Sequence, residues 1–334
     1  MSENMTVKNN SVLSTLGNVF TKVKSFREGT LILIILAVCV IMSFLSPYFM
    51  TWGNWRAIFL SFSTEGIVVV GMTVMLIIGG IDLSVGAVMC LAMCVAGRLF
   101  LMGMNPWLAS IIALAVSAGV GAIMGYFVTK IGLVHFITTL AFLGIARGSC
   151  YVLTQGSPLS LFTLPASFKF IGQGSVGPFP FIIIIFLIIV IFSDFMVRKS
   201  SIMRKVFYTG SNEKAALFSG IRVNKIKLGV SVLCSSLAGL AGIIYMSRFG
   251  AATPGFGVGL EMTTISAAVI GGASLNGGEG TVLGSILGVA LLSIITSSLI
   301  LLDVSVYWQD LVKGLILLFA VSVDHFQHAK KMKA

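Results

Sequence analysis

Long apolar runs separated by short polar breaks dominate this chain. At 1.5 Å of rise per residue, about twenty helical residues cross a bilayer core of ~30 Å. The runs predict spans over 30–50, 60–80, 84–102, 107–130, 133–153, 179–197, 228–247 and 281–302, a short one over 261–272, and a last one over 306–323. Residues 154–178, rich in Gly, Ser and Pro, read as a long loop. One polar island, 198–227, separates the sixth and seventh spans and holds eight basic residues against one acid, Glu213. The expected fold class is an all-α polytopic membrane protein of about ten helices, some broken or short. Its expected parts are an N-terminal tail (1–29), a transmembrane domain (30–323, with the island inside it) and a C-terminal tail (324–334).

Composition agrees. Hydrophobic residues make up 57% of the chain and charged ones only 10%, against about 25% charged in soluble domains. Lipid must cover part of that apolar surface. The net charge of +11 does not point to nucleic acid, because the cations cluster where membrane topology would put them. With both termini inside, the tails, the turns near 81, 131 and 277 and the island face the cytoplasm, and only Arg56, Lys169 and Arg248 fall in outer loops. Trp52, Trp55, Trp107 and Trp308 then mark outer span ends, where indole favours the interface. Gly121-x-x-x-Gly125 and Gly284-x-x-x-Gly288 lie five spans apart, as an inverted repeat requires, although GxxxG alone mainly marks close helix packing.

The chemistry of catalysis is missing from the pattern. No Walker A motif occurs, and the glycine-rich run 271–280 lacks the lysine and the preceding strand of a phosphate loop. No Ser/His/Asp or Cys/His grouping has workable spacing. All five cysteines lie in apolar runs. Cys90 and Cys94 share a helix face, but no third ligand lies nearby, so a metal site is not expected.

Charges inside spans say more, since each costs about 2.5–3.5 kcal/mol at a helix centre and asks for a partner or water. Glu65 and Arg147 each sit in the outer half of a span; they can pair or line an outward vestibule. Asp310 and Lys313 suit a local salt bridge or the same cavity. Glu261 and Arg248 flank a short outer loop. Asp82, after Gly79-Gly80 and before Ser84, reads either as a helix N-cap or as part of a broken helix lining a path.

Gly79-Gly80-Ile81-Asp82-Leu83-Ser84-Val85-Gly86 resembles a hallmark of the ribose and monosaccharide branch of bacterial ABC-importer permeases. The stretch from Gly210 through Asn212, Ala215, Ala216, Ser219 and Gly220 to Ile221 is similar to that family's ATPase-coupling motif. Glu261 to Ile265, Gly271 to Leu275, the glycines around Asn276 and Val304 to Gln309 continue the likeness. The resemblance implies a non-catalytic permease subunit in the bacterial inner membrane, moving a monosaccharide inward by alternating access. It implies a separate ABC ATPase that hydrolyses ATP with Mg, an extracytoplasmic sugar-binding protein, and a second permease copy or paralogue. No cofactor is expected on this chain. Glu65, Asp82, Ser84, Arg147, Glu261 and Asn276 are the expected pathway residues, and Gly220 the end of a docking helix. A nucleoside or furanone-type signal molecule is the alternative cargo. An ion-gradient carrier, or a receptor without flux, is the rival class.

Overall fold

The computed structural model describes residues 27–331, with side chains from 28 to 322. The tail expected over 1–29 therefore lies almost wholly outside the described residues. The described chain holds thirteen helices: α1 Arg27–Leu45, α2 Trp52–Ile77, α3 Val85–Leu101, α4 Pro106–Tyr126, α5 His135–Thr154, α6 Ala166–Gln173, α7 Phe181–Lys199, α8 Ser201–Ser211, α9 Glu213–Phe218, α10 Val223–Phe249, α11 Leu260–Ile270, α12 Val282–Leu301 and α13 Val306–Lys331. Two-residue strands form two small antiparallel pairs: Leu159–Ser160 with Ala251–Ala252, and Ser175–Val176 with Phe179–Pro180.

Among the described residues, seven helices are long and apolar enough to cross a membrane: α1, α2, α4 (with the π-turn Phe127–Ile131), α5, α7, α10 and α12. The shorter apolar helices α3 (17 residues) and α11 (11 residues), and α13 at the end, complete the passes. This is an all-α, multi-pass membrane protein. The helices α1 and α7 leave most of their apolar surface uncovered, with Phe44, Ile188 and Phe192 among the exposed side chains. Water would not tolerate such faces; lipid does. By contrast, α2 is buried all round from Gly66 to Ile77, the mark of a central helix.

Connectivity gives the bundle two ends. The island end gathers Glu28, whose carboxylate accepts from Thr281, with Ile77, Gly210 and Gly278, which touch one another. The far end holds the loops around 46–51, 102–105, 155–180, 250–259 and 302–305. All four tryptophans lie at or near helix starts on this far end.

Several boundaries differ from the sequence reading. The second span begins at Trp52 rather than 60, capped by Thr51, so Arg56 belongs to its first turns and not to a loop. Arg248 likewise sits in the last turn of α10. The loop over 154–178 contains α6, whose Phe168 and Gly172 are buried. The final helix continues through Lys331, past the boundary expected at 323.

Packing is interlaced. α2 of the first half packs on α11 and α12 of the second, while α10 packs on α3 and α4. The two central helices also pack on each other, and α3–α5 is matched by α11–α13. That exchange is the pattern of an inverted repeat. The GxxxG motifs do mark tight crossings, but not equivalent ones. Gly121 and Gly125 face α10 at Ser231 and Leu228, whereas Gly284 and Gly288 face α11 at Gly271 and Ala267.

Candidate functional site

Two half-helices meet inside the bundle. After α2 ends at the island end, residues 78–84 leave helical geometry and turn back inward, and α3 starts only at Val85. From the far end, residues 250–259 descend alongside α3, and α11 starts at Leu260. The descent is marked by contacts of Gly97 with Ala252, Cys90 with Pro254, and Gly86 with Gly257. Gly86 and Gly257 touch backbone to backbone: a Cβ on Gly86 would stand 2.1 Å from the Gly257 carbonyl oxygen. Gly257 has a φ of +77° as well, so side chains are excluded there by space and by conformation.

Irregular backbone inside a membrane needs its polar groups satisfied. Arg147 on α5 does this for the descending segment, donating to the carbonyls of Pro254 (2.9 Å) and Phe256 (2.5 Å). Arg147 therefore does not pair with Glu65 as the sequence allowed. On the other segment, Thr139 donates to the Ile81 carbonyl. Asp82 is fully buried. Its Oδ1 accepts from the amide (2.8 Å) and the hydroxyl (2.6 Å) of Ser84. Ser84 itself occupies the cap position of α3, so Asp82 fixes the turn before the helix rather than capping it directly. Its Oδ2 has no hydrogen-bond partner among the described residues, and Cys234 of α10 lies beside it.

Above this meeting point a cavity of about 520 Å³ lies towards the far end. Ser61, Thr64, Glu65 and Glu261 give it polar groups, and Tyr245, Phe249 and Phe256 an aromatic wall. The Tyr245 and Phe256 rings stack with centroids 3.6 Å apart. Asp310 and Lys313 stand at its edge as an ion pair of 3.7 Å. An adjoining cavity of about 310 Å³ shares Ser61, Glu65, Arg248, Thr263 and Lys313. Glu65, Ser61 and Lys313 line both cavities together. Glu261 accepts from the Gly259 amide at the start of α11.

On the other side of Asp82, a cavity of about 480 Å³ is lined by Gly79, Ile81, His135, Glu213 and Lys227. Residues 82–88 separate Ile81, which lines this space, from Met89, which lines the far one. Among the pathway residues expected from sequence, Glu65 and Glu261 line the far cavity. Asp82 and Ser84 lie buried beneath it, and Arg147 braces it from behind. Asn276 does not line it; this exposed residue sits at the island end beside Gly79.

The island folds into two short helices. Asn212 caps α9 by accepting from the Ala215 amide (3.0 Å). Gly220, at a φ of +79°, closes it, with Ile221 N–H donating to Ala216. Glu213 pairs with Lys227 at 2.7 Å. Ala216 is 3% exposed and faces its own chain, while Leu217 and Phe218 stand 61% and 89% exposed. The apolar face free to receive a partner is thus Leu217–Phe218, which the small-residue pattern did not reveal. Gly210 is packed inward: a Cβ there would meet the Ile77 carbonyl oxygen at 1.8 Å and the Gly278 amide at 2.8 Å. Gly277 presses against Gly79 and Gly210 in the same knot. The island is thereby wedged against the entry of one half-helix segment and the exit of the other.

The family model for "Branched-chain amino acid transport system / permease component" matches residues 54–321. The ribose import permease RbsC of Escherichia coli K12 is 38% identical over 308 residues, covering 92% of this chain and 96% of its own. The D-allose transport permease AlsC of the same organism is 33% identical, covering 89% and 91%. The autoinducer 2 import permease LsrC of Yersinia enterocolitica is 32% identical, covering 90% and 83%. No solved structure matches. With half-helices meeting between two cavities and a family match across nearly all its passes, the chain belongs to the permease components of ABC import systems and is a multi-pass membrane permease.

Proposed function

We propose that this permease carries a small polyhydroxylated solute, a monosaccharide of the ribose or allose kind, from the far end to the island end. The island end faces the bacterial cytoplasm and the far end the extracytoplasmic side; the concentration of cations on the island supports that orientation. The observation that carries the reading is the far cavity itself. Hydroxyls and carboxylates beside stacked aromatic rings suit a neutral sugar, whose hydroxyls want hydrogen bonds and whose C–H faces want an apolar wall. The names borne by its relatives, ribose and D-allose import permeases, agree with this chemistry.

In this reading a separate ATPase seats Leu217 and Phe218 in a groove and hydrolyses ATP with Mg. This chain binds no cofactor and catalyses nothing. A sugar-binding protein delivers cargo to the loops of the far end, chiefly 155–180, and a second permease copy or paralogue completes the pathway. Closing of the ATPase pair moves α8 and α9. The Gly210–Ile77–Gly278 knot passes that motion to residues 78–84 and 271–280. The barrier around Asp82 then opens towards the island as the far cavity closes. A furanone-type cargo would use the same cavity, as the autoinducer 2 relative illustrates.

Reconstitution tests this. The permease is placed in liposomes with its ATPase and binding protein, and labelled ribose or allose is supplied outside. Saturable uptake that needs ATP inside and ignores an ionophore is expected. Uptake by this chain alone, collapsed by the ionophore, would make it an ion-gradient carrier instead.

A further inference from the structure

Three sulfurs converge behind the descending segment. Cys90 and Cys94 lie one turn apart on α3, and Cys150 on α5 closes the triangle. Each Sγ is within 4.8 Å of the other two, and those of Cys90 and Cys94 are 3.9 Å apart. All three residues are fully buried. The carbonyl oxygens of Thr253 and Pro254 lie 3.3 and 3.2 Å from the Cys90 sulfur. Arg147, one turn before Cys150 on the same helix, donates to the second of these carbonyls.

A single buried cysteine packs as a small hydrophobe. Three thiols from two helices, focused on one point beside the carbonyl oxygens of an irregular backbone segment to which the Cys90 thiol donates, do more than pack. Zinc–thiolate bonds of about 2.3 Å put tetrahedral sulfur ligands about 3.8 Å from one another, close to the separation already present between Cys90 and Cys94. A backbone carbonyl oxygen can supply the fourth position. Charge selects the ion. Three thiolates and a divalent cation sum to −1, which the adjacent Arg147 guanidinium cancels; with a monovalent soft ion the same count, Arg147 included, leaves −1 uncompensated beside apolar neighbours, at a heavy cost. A disulfide between Cys90 and Cys94 is disfavoured, because residues one helical turn apart hold their Cβ atoms about 5–6 Å apart, beyond the ~3.5–4.5 Å that a disulfide spans.

We propose that Cys90, Cys94 and Cys150 form a binding site for one thiophilic divalent cation of the zinc and cadmium kind. Binding replaces three S–H bonds by three metal–sulfur bonds and releases three protons to solvent, without redox change. The bound ion ties α3, α5 and the 250–257 segment together and so pins the far side of the barrier.

The test uses the full-length permease purified in detergent after chelator treatment, and it does not depend on the cargo. Cadmium is titrated in, and the thiolate-to-metal charge-transfer absorbance is read. One equivalent per chain is expected. In a mild-denaturant pulse that opens the buried interior, the bound metal should slow maleimide alkylation of these three cysteines, but not of Cys39, as read by mass spectrometry. Cys94→Ser and Cys150→Ser should each weaken binding at least tenfold, while Cys39→Ser should not. The shielding experiment needs no variant and stands even if the serine forms fail to fold. No absorbance band, equal alkylation with and without cadmium, or a native disulfide within the trio would each overturn the proposal.

Discussion

Gly210 and Ile77 are so close that a methyl group on the first would stand 1.8 Å from the carbonyl oxygen of the second. That oxygen already accepts a hydrogen bond from Gly278 at 2.8 Å. The contact lies between backbone atoms, so no rotamer change can relieve it. Gly210→Val should therefore force the island away from residues 78–84 and uncouple it. Uptake in whole cells should fall more than tenfold, while membrane content and co-purification of the ATPase stay near the parent level. Normal uptake would remove the knot from the transmission path.

The exposed pair Leu217 and Phe218 makes the opposite prediction. Phe218→Asp changes no internal contact, since that side chain is 89% exposed. Placing a charge at the centre of an apolar seat costs on the order of 2–4 kcal/mol. Co-purification of the ATPase in mild detergent should drop by at least tenfold, with the isolated permease as thermostable as before.

Arg147 binds its two carbonyls as a charged donor. Arg147→Met should lose roughly 2–4 kcal/mol, because hydrogen bonds to charged groups contribute about 1.5–3 kcal/mol each and this residue is only half-buried. Thermal unfolding in detergent should shift down, and Arg147→Lys, which can still reach one carbonyl, should recover part of the loss. An unchanged melting curve for the methionine form would show that water satisfies Pro254 and Phe256 equally well.

Sidedness is checked at Lys214, in the short helix α9. Lys214→Cys in a background lacking the native cysteines should react with a membrane-impermeant maleimide in inside-out vesicles and not in intact cells. Labelling of intact cells would invert the proposed direction of the chain.

Much of this architecture was legible as sequence because lipid imposes a long apolar run on every crossing. The break at Gly79–Asp82 and the shortness of the run after Glu261 were legible too. The descending segment 250–257 was not legible. Its carbonyls are satisfied by Arg147 and Cys90, which belong to other helices and leave no local signature. Cys150 was hidden in the same way: as a neighbour of Cys90 and Cys94 it exists only once α3 and α5 pack. The island motif was readable as a block, but its inner and outer faces were not. Small residues suit close approach in either direction, and only the fold shows that Gly210 and Ala216 turn inward while Phe218 turns out. α6 escaped because a composition of Gly, Ser and Pro suggests loop, and its buried Phe168 and Gly172 are too few to set a period.

The interlaced packing of α2 and α10 has a consequence for how such a protein comes into being. Neither the stretch up to Thr154 nor the stretch from Phe181 owns a complete interior, for each lends its central helix to the other. A nascent chain halted at the ribosome after α5 would present α2 without α7, α10, α11 and α12, the helices that cover most of it. Commitment to the finished form must wait until α12 has been synthesised, which leaves the early helices dependent on insertion machinery and on one another during that interval.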